Sequence, residues 1–173
     1  MNWLVLTYSL PTGPNSSPRV TLWRRLRRLG AVPLSGGGYL LPERDACHEA
    51  FQWLAQEIRQ AQGEALILHV AQVEGLSDAE AVHLFHTARR KEYDELESQV
   101  AALEEQIATD QVSRSTVLDG LERLRRRFAE LQYIDYFAAP EGSLLAARLT
   151  QLAAALELPA QVQTVPAAGP AGY

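Results

Sequence analysis

Trp23–Pro42 reads WRRLRRLGAVPLSGGGYLLP: four arginines between Trp23 and Leu29, a glycine, then two short apolar runs separated by three more glycines. At 100° per residue, Leu22, Trp23, Leu26 and Leu29 share one helical face, Arg24, Arg25 and Arg28 project from the other, and Arg27 lies at the flank. Gly30 stands where a helix end takes a left-handed residue. Ala31–Leu34 and Tyr39–Pro42, joined by Ser35-Gly36-Gly37-Gly38, read as a β-hairpin whose turn needs positive φ.

Working outward, Asn2–Leu10 is apolar, rich in β-formers and ended by the turn residues Pro11–Asn15, so it reads as a buried first strand. Ser16 or Ser17 is a suitable N-cap with Pro18 at the first helical position, which places the basic helix over about Pro18 to Leu29. Glu43–Gln62 carries Ala46, Ala50, Phe51, Trp53, Leu54 and Ile58 at helical spacing and is stopped by Gly63; Ala65–Val73 is a further strand. The order β-α-β-β-α-β, complete by Gly75, is that of a ferredoxin-like α+β domain.

From Ser77 the composition turns helical, with no glycine or proline before Gly120. Leu96, Val100, Leu103 and Ile107, then Val117, Leu121, Leu124, Phe128 and Leu131, predict an α-helical hairpin, with polar Thr109–Ser115 between its arms. After Ala138–Gly142 a third C-terminal helix is expected over roughly Ser143–Leu158, through Leu145, Leu149, Leu152 and Leu156. The expected organisation is a ferredoxin-like domain over 1–76, the helical hairpin plus C-terminal helix over 77–158, and a disordered tail over 159–173.

A single cysteine, Cys47, excludes an internal disulfide framework and points to a reducing, cytoplasmic setting. WLVLTYSL is too short for a membrane span and lacks the basic flank of a signal peptide. The net charge of −5 is unevenly spread. Residues 1–42 hold five arginines (Arg19, Arg24, Arg25, Arg27, Arg28) and no acid, whereas 43–112 hold fifteen acids against five bases. The basic character is therefore local, and it is the strongest pointer to an anionic partner.

Other candidate sites have plainer explanations. SGGGY lacks the lysine and following helix of a phosphate-binding loop. His83 and His86, with Cys47, His48 or His69, lack a clear third ligand, so no metal and no cofactor is expected. Cys47 reads as buried and passive. Arg89–Lys91 followed by Glu92, Asp94, Glu95 and Glu97 reads as a solvated face laced with pairs such as Arg90–Asp94 and Lys91–Glu95. Arg125–Arg127 are expected to be neutralised by Glu122 and Glu130.

WLVLTYSLP, WRRLRRLGAVPL with GGGYLLP, and IDYFAAP together resemble the N-terminal domain of the ChrB-type chromate-resistance regulators. That resemblance covers most of residues 1–158 and implies a bacterial DNA-binding regulator of a chromate-efflux operon. In that family a second domain, credited with the chromate response, normally follows; with the chain ending at Tyr173, the resemblance implies either a free-standing version that needs a partner, such as a separately encoded sensor domain, or a protein that senses nothing itself. The β-α start is also similar to PaaX-type repressors and to small CRISPR-associated ferredoxin-like nucleases. Those nucleases carry an aspartate at the end of the first strand, where this chain has Tyr8-Ser9-Leu10-Pro11, which argues against a metal-dependent nuclease.

Two functions are consistent with the sequence. The first is a transcriptional regulator or DNA-binding module in which Arg24, Arg25 and Arg28 contact phosphates, supported by Arg19 and Arg27, acting as a homodimer and without membrane contact. The second is a non-enzymatic homodimeric scaffold that uses the apolar seams of the helical hairpin. No catalytic constellation supports an enzyme.

Overall fold

The computed structural model describes residues 1–11, 17–109 and 112–157, so the expected tail lies outside the described residues. The elements are β1 (Trp3–Ser9), α1 (Ser17–Arg28), β2 (Val32–Pro33), β3 (Tyr39–Pro42), α2 (Asp45–Gln60), β4 (Glu64–Val70), α3 (Asp78–Ala108), α4 (Arg114–Tyr133) and α5 (Pro140–Glu157). The strands form one antiparallel sheet in the order β2-β3-β1-β4, as a ferredoxin-like arrangement requires.

β1 is a central strand, hydrogen-bonded to β3 and β4, and Trp3, Leu4, Val5 and Leu6 are all buried. Burial on both faces explains why WLVL is apolar without alternation. Leu4 and Leu6 pack with Leu22 and Leu26 of α1 and with Phe51, Leu54 and Ile58 of α2. On the opposite face Trp3 stacks on Phe85 of α3 at 6.0 Å, and its indole N–H donates to Asp78 at 2.8 Å. Edge strand β4 does alternate: Ala65 is buried, while Leu66 and Leu68 point away from α2 and are 64% and 45% exposed.

α1 ends as its sequence predicts. Gly30 has φ +68, its N–H bonds to the Arg27 carbonyl at 3.0 Å, and the Ala31 N–H reaches back to Leu26 at 3.1 Å, a Schellman closure. α2 ends at Gln60, two residues before the expected Gln62. Gln62 takes the left-handed conformation with φ 60, while Gly63 lies so close to the Ser9 carbonyl oxygen that a Cβ would collide with it.

The helical region has its own core of Tyr93, Leu96, Val100 and Leu103 from α3, Val117, Leu121, Leu124, Phe128 and Leu131 from α4, and Leu145, Leu149 and Leu152 from α5. α3 is opened by a capping box in which Ser77 and Glu80 bond each other's backbone N–H. It belongs to both cores, giving Ala81 and Phe85 to the sheet side and Tyr93 onward to the bundle. α5 begins at Pro140, three residues before the expected start.

Ile134–Pro140 clasps the two cores together. The Tyr136 hydroxyl donates to the Leu29 carbonyl at 2.7 Å, and Phe137 packs against Phe85 and Trp3. Asp135 accepts from the Ala139 N–H and from the Tyr93 hydroxyl. Burial and the Asp135 carboxylate together push the Tyr93 phenol above its ordinary pKa.

Candidate nucleic-acid interface

α1 presents its arginines because Leu22 and Leu26, four residues apart, take the buried side. Trp23 departs from the expected core face: it is 46% exposed. One residue from Leu22 is about 100° of rotation, enough to carry the indole out of the sheet–helix layer. The Arg27 guanidinium lies over its ring, 5.1 Å from the centroid. Trp53 on α2 is exposed for the same reason.

The five arginines have different surroundings. Arg19 donates to the Leu10 carbonyl at 3.2 Å. Arg25 is paired with Glu57 of α2, an acid that folds back onto the basic helix. Arg27 lies 3.4 Å from Glu92. Arg24 and Arg28 are exposed and, among the described residues, have no carboxylate partner and no side-chain hydrogen bond. Part of this charge is local, since Arg25, Arg27 and Arg28 occupy the last turn of α1, where cations complement the carbonyl end of a helix.

Arg24, Arg27 and Arg28 face a second element across a cleft of about 760 Å³. The far wall is α4, which contributes Arg127, Glu130 and Tyr133, and Trp23, Glu92 and Ile134 also line it. Arg127 is tied to Glu130 at 3.2 Å, and Tyr133 is 79% exposed. Of the expected pairings in the Arg125–Arg127 cluster, Arg127–Glu130 is the ion pair formed among the described residues.

Beneath the cleft, α3 departs from its expected solvated face. Arg89 and Glu92 are only 4% and 8% exposed and form an ion pair at 3.0 Å. Arg89 Nε and Nη1 and Glu92 Oε2 are nevertheless buried without a hydrogen bond. Burying two charges costs several kcal/mol per ion before their attraction is counted. The position follows from α3 passing between the two cores: Arg89, one turn after Phe85, and Glu92, one turn before Leu96, lie where Gly30 and Ile134 meet, and a Cβ placed on Gly30 would stand 3.3 Å from Arg89 Nη1. Arg90 is paired with Glu141 of α5 at 2.5 Å rather than with Asp94.

His48, His69 and His86 take structural partners. His86 Nε2 is 3.0 Å from the Phe137 carbonyl; His69 Nδ1 is 2.6 Å from Glu43 and holds that carboxyl below its usual pKa. His48 meets His69 edge-on at 4.8 Å. Among the described residues no group of three or more His, Cys, Asp or Glu could hold a metal ion. Cys47 is buried, and burial raises its thiol pKa. No described helix is long and apolar enough to cross a membrane.

Sequence comparison adds the family. The model of the N-terminal region of Protein ChrB matches residues 19–164, from the first turn of α1 through α5. The chain belongs to the ChrB N-terminal family. Within it, Protein ChrB of Cupriavidus metallidurans strain CH34 is 31% identical over 143 residues, covering 78% of this chain and 40% of that protein. The chain thus corresponds to less than half the length of this ChrB relative. No solved structure matches. The ChrB N-terminal match includes both walls of the cleft and the Ile134–Pro140 clasp, while β1 precedes it.

Proposed function

We propose that this chain is a DNA-binding module of a transcriptional regulator, related to chromate-responsive regulators through its family, which grips the nucleic-acid backbone with α1. One observation carries the reading: Arg24 and Arg28 are exposed, lack carboxylate partners among the described residues, and line one cleft with Arg27 and Arg127. Arg19 and Arg27 support them, and Arg25 contributes less because Glu57 already neutralises it. Phosphate contacts give affinity and register, whereas base edges give sequence selection.

Binding of a labelled duplex across a salt series tests this. Each phosphate contact contributes about 0.9 to the slope of log affinity against log salt. The Arg24→Ala, Arg28→Ala variant is expected to flatten the slope by about two. Arg25→Ala should leave it nearly unchanged. An undiminished slope in the double variant, or no binding at low salt, overturns the proposal.

A homodimeric interaction protein is the second reading, favoured by the exposed Leu66 and Leu68 on β4. The hairpin seams are already buried within the chain, so pairing of a second copy would use the exposed side of β4 and its free edge. Sedimentation of the parent and a Leu66→Asn, Leu68→Asn variant checks it: a monomeric parent removes this reading.

A further inference from the structure

The cleft between α1 and α4 holds more than charge. Two aromatic rings on opposite walls, Trp23 and Tyr133, are exposed to it among the arginines. Backbone neutralisation needs guanidinium groups alone, and exposed rings in an arginine-lined cleft are the equipment for stacking an unpaired base. Glu92 supplies a third element. Its carboxylate is nine-tenths buried yet lines the cleft, and its Oε1 has only Arg27 Nη2 at 3.4 Å, where little of a hydrogen bond remains. A carboxylate is acceptor-only, so it suits the amino and imino donors on a base edge and repels phosphate. Phosphate is directed instead to Arg24 and Arg28, which have no acid beside them among the described residues.

We infer that this cleft takes one nucleotide with an unstacked base: the base lies against Tyr133 and Trp23, an N–H of its edge donates to Glu92, and its phosphate rests on Arg24 and Arg28. The inference rests on the DNA-binding reading and names what that surface receives beyond paired backbone. The same chemistry could come from an extrahelical base in DNA or from a free nucleotide.

The test measures anisotropy of a labelled duplex carrying one bulged guanine, beside the fully paired duplex and the same bulge with thymine, with free GMP as competitor. The parent should bind the guanine bulge roughly tenfold more tightly than paired DNA, the range of a stacked base. Tyr133→Ala and Trp23→Ala, both at exposed positions and checked by thermal melting, should lose that preference. The salt slope on paired DNA should persist in Tyr133→Ala. Thymine, which lacks the exocyclic amine, should bind less well than guanine. Displacement by GMP alone identifies a free nucleotide as the ligand source; displacement only by oligonucleotide identifies DNA. Equal binding of bulged and paired duplex by the parent overturns the inference and leaves the DNA reading standing. Saturable GMP binding without duplex binding sinks the DNA reading and retains the nucleotide cleft. Loss of both ends both.

Discussion

Gly30→Ala tests how tightly α1 is docked against the bundle. A Cβ at Gly30 would sit 2.9 Å from both Ile134 Cβ and the Ile134 carbonyl oxygen, in a residue with φ +68. An L side chain in the left-handed region costs about 1–2 kcal/mol, and forcing an extra methyl into a packed contact costs about 1–3 kcal/mol more. The carbonyl belongs to the backbone and cannot swing aside, so the upper half of that range applies. For a chain of this size each kcal/mol lowers Tm by about 2–4 °C, which predicts a fall of roughly 10 °C. Gly37→Ala is the control, because Gly37 has φ +94 but nothing within 4 Å of a Cβ. It should show the backbone cost alone, about 1–2 kcal/mol. Both would be followed by circular dichroism melts at matched concentration. If Gly30→Ala melts no lower than Gly37→Ala, the junction between α1 and Ile134 is not close-packed and the cleft has no fixed width.

The buried Arg89–Glu92 pair predicts strong non-additivity in urea unfolding. Glu92→Ala alone should cost about 3–5 kcal/mol by stranding Arg89, while the double variant Arg89→Met, Glu92→Leu should lie near the parent or above it; additive losses would show that the pair is not desolvated. Glu43, Glu104 and Glu141 are held below their ordinary pKa, Glu104 chiefly by its hydrogen bond from Arg148. Because the folded-state values are depressed, their stabilisation is full above the unfolded pKa of about 4.3 and is lost as pH falls through the folded values. The urea midpoint should therefore drop below that pH, and Arg148→Ala should make the drop shallower; a midpoint independent of pH in that window would contradict the ion pairs.

The ferredoxin-like order was legible because local signals agreed with one another. Gly30 closed a helix, Ser35–Gly38 turned a hairpin, and WLVL had the unbroken apolar run of a central strand. The helical seams were legible for the same reason, since the residues spaced by three and four are those now buried between α3, α4 and α5. The site was less so. Trp23 and Trp53 read as core by residue type, yet each lies a single residue from the true buried stripe, and periodicity does not resolve that offset without knowing where the sheet sits. Arg89 and Glu92 read as solvated because charged residues seldom enter a core without a partner, and their burial depends on two distant segments, Gly30 and Ile134, meeting over them. The cleft's second wall was invisible for a similar reason: nothing local to Arg127 and Tyr133 places them opposite α1.

α3 runs unbroken for 31 residues, about 46 Å at 1.5 Å per residue, with Glu92 near its midpoint. A helix of that length behaves as a stiff rod, and its two halves are seated in different cores. On that geometry, a push on Glu92 would be met by a tilt of the whole rod and not by a local bend. A tilt of about 3° pivoting at Phe85 carries Ala108 by roughly 2 Å. A ligand in the cleft that pressed on Glu92 would, on this geometry, register as a displacement at the remote tip of the helical arm.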